Sequence, residues 1–366
     1  MTVPMPTGLD ELCVRLHARH SRMAVGERLD VLCRLRSIPE LAHELYPEST
    51  FTTLTDLQRR LVRDRAAELV DMARRLEDRR AEFVGWLAVR YHLENLKVYA
   101  RGFATRAPMS DVGPLLAPYR GEPRVDGETL LAAEGVEGFA SAISEKPLRK
   151  AVLAAAAAYA VQPRSFYIEA ALDRGYLEEL VTRADALAAG DRDEILPIVR
   201  QEVDLYNLML ATRGRFIYGL KPEFLIDLHV AGGRIRRGVL TSMLAAADLA
   251  DAANLAMGLA LDPQDRQGAE QGGPSGDPMV VEAQAVARLM RIAGATFYTS
   301  HMGLGAAAAY AVLRRMELAN LITLSEGIRA RLDPEAIRRR LIPRKVIPVS
   351  MKSAAASQAG AEAPRV

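Results

Sequence analysis

Aromatic residues make up only 5% of the 366-residue chain, and one of them is tryptophan. Val, Ile, Thr and Tyr rarely cluster, which leaves β-strands little support. The two cysteines, Cys13 and Cys33, stand apart without a CxxC or a His at metal-ligand spacing. That excludes a disulfide framework and fits two ordinary thiols in a reduced, cytosolic compartment. An excess of charge is also missing, since 48 Lys and Arg face 46 Asp and Glu for a net +2. Nothing global therefore argues for a nucleic-acid partner. No uncharged run reaches the roughly 20 residues of a membrane span. Ala151–Val161 has 11 residues and Met302–Leu313 has 12, while the longer Leu244–Leu261 stretch carries Asp248 and Asp251. The opening MTVPMPTGLDELCVRL shows no basic segment followed by an apolar one, so no secretory signal is expected. GxSxG and the GxxxxGK[ST] phosphate loop are absent.

What the chain has in abundance is Ala, Leu and Arg, all strong helix formers. From Leu54 onward, Leu57, Leu61, Leu69, Met72 and Leu76 recur at steps of three and four or their multiples, one stripe of an amphipathic helix. The run to Phe103 is too long for one packed helix, and Gly85 is the expected break. Ser165, Asp191 and Asp333 are expected at or just after helix starts. Two stretches read as unstructured: a mobile loop at 262–278, rich in Gly, Pro, Gln and Asp, and an Ala-rich tail at 349–366.

One element occurs three times. Asn95 opens Asn-Leu-Lys-Val-Tyr-Ala-Arg-Gly, Asn207 opens Asn-Leu-Met-Leu-Ala-Thr-Arg-Gly, and Asn320 opens Asn-Leu-Ile-Thr-Leu-Ser-Glu-Gly. Each reads Asn-Leu-x4-(Arg or Glu)-Gly and ends on Gly102, Gly214 or Gly327, with separations of 112 and 113 residues. Asp204 and Glu317 each stand three residues before the Asn, and Leu-x-Pro-Glu follows the second and third copies. The period exceeds that of solenoid repeats. The expected architecture is all-α, with tandem domains at 1–118, 119–230 and 231–348. Asn is a poor interior helix residue because its amide competes for backbone bonds. Mid-helix in every copy, it should be buried and bonded. The Gly seven residues on shares its face and should admit a close neighbour or end the helix. A role repeated in each copy points to structure rather than catalysis.

These motifs resemble the C-type stalk component of V-type and A-type ATPases, whose eukaryotic equivalent is the d-type component. The resemblance rests on 91-YHLENLKVYARG-102, 166-FYIEAALDRGYLEEL-180, 201-QEVDLYNLMLATRGRFIYGLKPEFLIDLHVAGGRI-235 and 310-YAVLRRMELANLITLSEGIRARLDPEAIRRRLIP-343, and extends to 19-RHSRMAVGERLDVLCRLRSIPELAHELYP-47. His92 departs from it, standing where the family often has Asp. The resemblance implies a funnel of three helical domains with approximate threefold symmetry. It implies no enzymatic chemistry and no cofactor. It places the chain on the cytoplasmic face, between the rotor shaft (D- and F-type subunits) and the membrane proteolipid ring, coupling rotation to proton or sodium transport. An unrelated helical adaptor, or a helical enzyme with a site between domains, are the alternatives.

Sharper motifs have plainer readings. His17 and His20, and the Glu40–His43 pair, fall short of a di-iron set, which needs two Glu-x-x-His motifs. Gly303-Leu-Gly305-Ala-Ala-Ala308 has the outline of a dinucleotide turn, and Thr296–Thr299 could pass for its strand, but no second parallel strand is visible. Asp248-x-x-Asp251 reads as a solvated helix face. Two basic clusters, Arg234, Arg236 and Arg237, and Arg338, Arg339 and Arg340 with Arg329, Arg331, Arg344 and Lys345, suit anionic lipid or an acidic partner.

Overall fold

A computed structural model describes residues 8–117, 126–263 and 276–342. Its elements are helices, with one isolated β-bridge, Met257 to Leu261, and no sheet among the described residues. The expected domain boundary at 118, most of the 262–278 loop, the 349–366 tail, Arg344 and Lys345 lie outside them.

Three helical hairpins organise the chain. Each has a leading helix and a motif helix: Leu54–Arg74 with Asp78–Thr105, Ser165–Asp185 with Ala189–Met209, and Pro278–Ser300 with Leu304–Arg329. Local chemistry sets their ends. Thr53 accepts from Asp56 N at 3.1 Å at the first leading helix, and Asp277 accepts from Met279 N at 2.9 Å at the third. Each satisfies an orphan N–H of a first turn. Asp333 caps its helix as expected, accepting from Ala336 N at 2.9 Å. Ser165 and Asp191 fall in first turns.

Gly85 does not break the first hairpin. The turn comes earlier, at Arg75–Glu77, where Leu76 is buried and Asp78 takes φ 49°. Gly85 continues the motif helix with Ala73 Cβ 3.8 Å from where its own Cβ would stand. An interior Gly costs a helix only about 1 kcal/mol, which close packing of the two arms offsets.

The hairpins pack in a cycle. Motif helix one lies against leading helix two, motif helix two against leading helix three, and motif helix three against leading helix one. Motif helix three also touches motif helices one and two. The six long helices thus close on themselves. Among the described connecting segments, the helix Lys146–Ala154 packs along leading helix two, with Pro147, Leu148 and Ala151 against Gly175.

Candidate functional site: a clasped ring around a charged hollow

The repeated Asn does the same thing three times. Asn95 Nδ2 donates to Ala117 O at 2.9 Å, and its Oδ1 accepts from Ala117 N at 2.8 Å. Asn207 pairs likewise with Val230, at 2.9 and 3.1 Å, and Asn320 with Ile342, at 3.4 and 2.8 Å. The side-chain amide pairs with one residue as a β-strand neighbour would, and stitches the returning chain to the helix. Asn207 and Asn320 are buried; Asn95 is only half-buried, short of the expectation.

The repeated Gly seats an aliphatic side chain rather than a backbone. A Cβ on Gly102 would stand 2.7 Å from Val112 Cγ2, on Gly214 2.7 Å from Leu225 Cδ2, and on Gly327 2.7 Å from Ile337 Cγ1. Each of these residues belongs to the short helix after the motif. The Gly carbonyl also caps the turn, accepting from Ala107 N, Leu220 N and Leu332 N at 2.8, 2.9 and 3.0 Å.

Copy two carries one extra residue. Its Asn reaches 23 positions ahead where the other two reach 22. The excess is absorbed by a π-helix, Leu210–Ile217, in which Tyr218 N donates to Arg213 O at 2.8 Å. A wider i→i+5 ring holds one more residue without breaking the helix.

The position three before the Asn reaches into the next copy each time. His92 Nε2 meets Glu145 Oε1 at 3.4 Å, Asp204 Oδ1 accepts from Ile235 N at 2.7 Å, and Glu317 Oε1 accepts from Ala24 N at 2.6 Å. All three are buried. Burial is the strongest single influence on the Glu145 carboxylate and raises its pKa, but His92, the backbone N–H of Glu145 and the Ser144 hydroxyl together outweigh it and hold the pKa below the usual range. Burial pushes Asp204 upward, partly offset by the N–H groups of Ile235 and Arg234. The Gly232-Gly233 turn is required here: Gly232 has φ 102°, and a Cβ on Gly233 would strike the Asp204 carboxylate.

The Arg-or-Glu position of the motif is a clasp. Arg101 binds Glu169 at 2.7 Å, Arg213 binds Glu282 at 2.6 Å, and Glu326 accepts from Gln58 Nε2 at 2.9 Å. Glu169, Glu282 and Gln58 occupy the same place, fifth residue of the next leading helix. The ring is therefore fastened at equivalent points around its circumference.

Between the motif helices lies a hollow of about 230 Å³, lined by Arg90, Lys97, Asp173, Glu202 and Arg315 among others. A second, of about 470 Å³, adjoins it toward the clasps and shares Lys97, Asp173, Met209 and Arg213. Lys97 binds Asp173 at 2.8 Å, and Arg315 binds Glu202 at 2.7 Å. These side chains escaped the sequence reading, although Arg90, Glu94, Lys97 and Arg101 form a charged i, i+4, i+7, i+11 stripe visible in it.

The remaining motifs have structural employment. The Gly303–Gly305 turn opens a helix whose N-terminus holds the protein's own anion: Gly305 N donates to Glu194 Oε2 at 2.8 Å. Thr296–Thr299 is helical, not a strand. His17 and His20 pack on Phe297, at 4.6 and 4.4 Å between ring centroids. Glu40 accepts from Arg36 N at 3.0 Å, and Asp248 caps a helix through Asp251 N at 2.9 Å. No group of three or more His, Cys, Asp or Glu among the described residues is placed to hold a metal, and no described helix is long and apolar enough to cross a membrane. Arg234, Arg236, Arg237, Arg339 and Arg340 are exposed. Arg237 pairs with Asp227 at 3.0 Å and Arg338 with Asp30 at 3.0 Å. None of these six lines the central hollow.

No curated protein matches the chain. The family profile described as ATP synthase (C/AC39) subunit matches residues 12–340. With nearly the whole length covered, and with its repeated motif building a helical ring, the chain belongs to the C/AC39 family of V- and A-type ATP synthase subunits.

Proposed function

We propose that the chain is a non-catalytic central-stalk component, a socket that couples the rotor shaft to the membrane proteolipid ring. Its three copies, with the domain limits given above, form the funnel. D- and F-type shaft subunits enter one end, the proteolipid ring meets the other, and the chain sits peripherally on the cytoplasmic face. The transported ion is a proton or sodium. The exposed arginines of the two basic clusters are offered to acidic partner surfaces or lipid headgroups.

One observation carries this reading: a closed cycle of hairpins, clasped at equivalent points, around a hollow walled by paired charges. Torque transmission needs stiffness and shape. Each motif position supplies stiffness, through a two-point amide bond, an aliphatic side chain locked on Gly, a buried polar link to the next copy, and a rim clasp. A helix about 10 Å across displaces on the order of 400 Å³ per turn. The outer hollow, about 470 Å³, thus suits the tip of a shaft rather than its length.

The test is biochemical. The membrane ATPase is purified intact from the native cell and its subunits are identified. The chain is expected at fixed stoichiometry with shaft and ring. A coupled complex lacking it would end the proposal.

A further inference from the structure

The three clasps have unlike surroundings. Between the motif Gly, whose carbonyl caps the turn, and the N–H that it accepts, copy one leaves Thr105 and Arg106 exposed, and copy three leaves Arg329, Ala330 and Arg331. Copy two has one residue more in this stretch, accommodated by its π-helix, and exposes Ile217, Tyr218 and Gly219. Ile217 and Tyr218 are 51% and 49% exposed.

The opposing arm of the same clasp is also apolar. Leading helix three, which supplies Glu282, carries Met279 and Val280 in its first turn, 79% and 40% exposed. The same places hold Thr55 and Asp56, both exposed, in leading helix one, and Phe166 and Tyr167, half-buried and buried, in leading helix two. Motif helix two runs antiparallel to leading helix three. Glu194 near its start meets Gly305, just past the end of the leading helix, and Arg213 near its end meets Glu282. The turn after Arg213 therefore lies beside the turn before Glu282, and the four apolar side chains form one lip across clasp two.

The lip adjoins the outer hollow. Tyr218 lines that hollow, with its ring 5.3 Å from the ring of Phe166. The rest of the wall comes from motif helices one and two and the start of leading helix two. Concave surface and apolar lip thus both border copy two. Clustered large apolar side chains at a surface mark a contact site. A π-helix is rare and occurs mostly at functional sites, and here it supplies the longer turn that carries Ile217 and Tyr218.

We propose that this lip is the apolar docking surface for the shaft, which seats against copy two and its junction with copy three rather than equally on all three copies. The occupant is the end of an amphipathic helix. Its tip fills the outer hollow, and its apolar stripe covers Ile217, Tyr218, Met279 and Val280. A helix end can both enter a hollow and cover the patch beside it, which a flat bilayer surface cannot. The proposal rests on the socket reading and adds to it the side on which the shaft is held and the chemistry of the contact.

The experiment uses the full chain and the purified D- and F-type shaft subunits from the same cell, with affinity and heat-capacity change measured by calorimetry. The unaltered chain should bind with a negative heat-capacity change, the mark of apolar burial. Ile217→Asp combined with Met279→Asp alters two exposed side chains, so it should melt like the unaltered chain. It should bind the shaft roughly tenfold or more weakly. Ile217→Leu combined with Met279→Leu should keep full affinity. Two controls put a carboxylate on exposed sites elsewhere at the same end: Leu115→Asp, after motif helix one, and Ala330→Asp, beside clasp three. Both should leave affinity unchanged. Equal weakening by the lip and control variants would show a contact spread around the rim, and would overturn the one-sided seat while leaving the socket intact. Full affinity in the lip variant would do the same. Vesicles of phosphatidylglycerol and phosphatidylcholine are tested with the chain alone, and binding that the lip variant loses would make the lip a membrane face and overturn the proposal. Failure of the unaltered chain to bind the shaft would remove the socket reading, and the lip with it.

Discussion

The seam between copies one and two and the seam between copies three and one each join a motif helix to the next leading helix, but with different chemistry. At the first, Trp86 stacks on Tyr176, 5.7 Å between centroids, and donates to Tyr176 O at 2.9 Å. Here the chain passes directly from one copy to the next. At the other, two carboxylates dominate, Glu317 buried and Glu68 partly so. Glu68 accepts from Tyr310 Oη at 2.8 Å and pairs with Arg314 at 2.9 Å and Arg19 at 3.2 Å. Glu317 holds Ala24 N, Arg314 and, at 3.4 Å, Arg65. This seam joins copies far apart in sequence. Apolar contact is non-directional and tolerates sliding, whereas hydrogen-bonded ions demand one alignment. Directional groups occur at both seams, but at the first the buried Asp173 gathers two cations, Lys97 and Arg90, whereas at the untethered seam Glu68 and Glu317 gather three donors each. The difference teaches that alignment is fixed by multiply bonded carboxylates where the chain offers no tether.

The largest expected effect lies at that seam. Glu317→Ala leaves a backbone N–H and two arginines without their buried acceptor, which costs about 3–5 kcal/mol. In a chain of this size each kcal/mol lowers the melting temperature by roughly 1–2 °C, so calorimetry should show a drop of about 5 °C. A loss no greater than that of Arg101→Gln would break the comparison.

The stitches come next. Asn207→Ala orphans both backbone groups of Val230 in a buried site, costing about 2–3 kcal/mol. Asn95→Ala should cost about 1 kcal/mol, because water can reach the half-buried Ala117 pairing. Urea unfolding of both variants tests the ranking, and equal values would contradict it.

A smaller effect separates the His92–Glu145 link from the Asp204–Ile235 link by pH. Glu145 has a lowered folded pKa, so its stabilisation is complete above its unfolded value of about 4.3 and is lost as the pH falls through the lowered one. Asp204 has a raised folded pKa, so the folded state holds its proton more tightly. Its contribution grows more favourable as the pH falls through the raised value toward about 3.9. Relative to the unaltered chain, Glu145→Gln should become less unfavourable on acidification, and Asp204→Asn less favourable. The two should therefore diverge in opposite directions and in different windows: Asp204→Asn between pH 7 and about 3.9, and Glu145→Gln only below about 4.3. Melting curves are run from pH 7 to pH 2, and curves parallel to the unaltered chain throughout would refute the assignment.

Least of all is the rim. A double-mutant cycle on Arg101 and Glu169 should give no more than about 1 kcal/mol, since an exposed pair gains little in water. A larger value would make the clasp a main source of stability rather than a marker of register.

Much of the ring was legible beforehand because its helices announce themselves locally. Leu57, Leu61, Leu69 and Met72 predict one buried face, and they form one. The repeat motif was visible as spacing, and the burial of Asn207 and Asn320 follows from what an amide costs inside a helix. What the amide pairs with was not legible, because Val230 and Ile342 contribute backbone atoms, which any residue carries. Gly85 misled because a glycine that permits close packing looks the same in sequence as one that ends a helix. The clasp was half-legible: the Arg-or-Glu alternation stood in the motif, but its partners, two glutamates (Glu169, Glu282) and one glutamine (Gln58), lie one copy ahead or, for the last, near the start of the chain. The hollow was hidden for the same reason. Its walls come from three helices, and only the stripe from Arg90 to Arg101 lies on one of them.

The coupling role itself is tested most directly by removing the chain from the purified ATPase, reconstituting the remainder in vesicles, and measuring ATP hydrolysis and ion uptake together. The expected result is that hydrolysis continues while ion uptake falls to background, and that adding the chain back restores uptake. Ion uptake that persists without the chain would contradict the account.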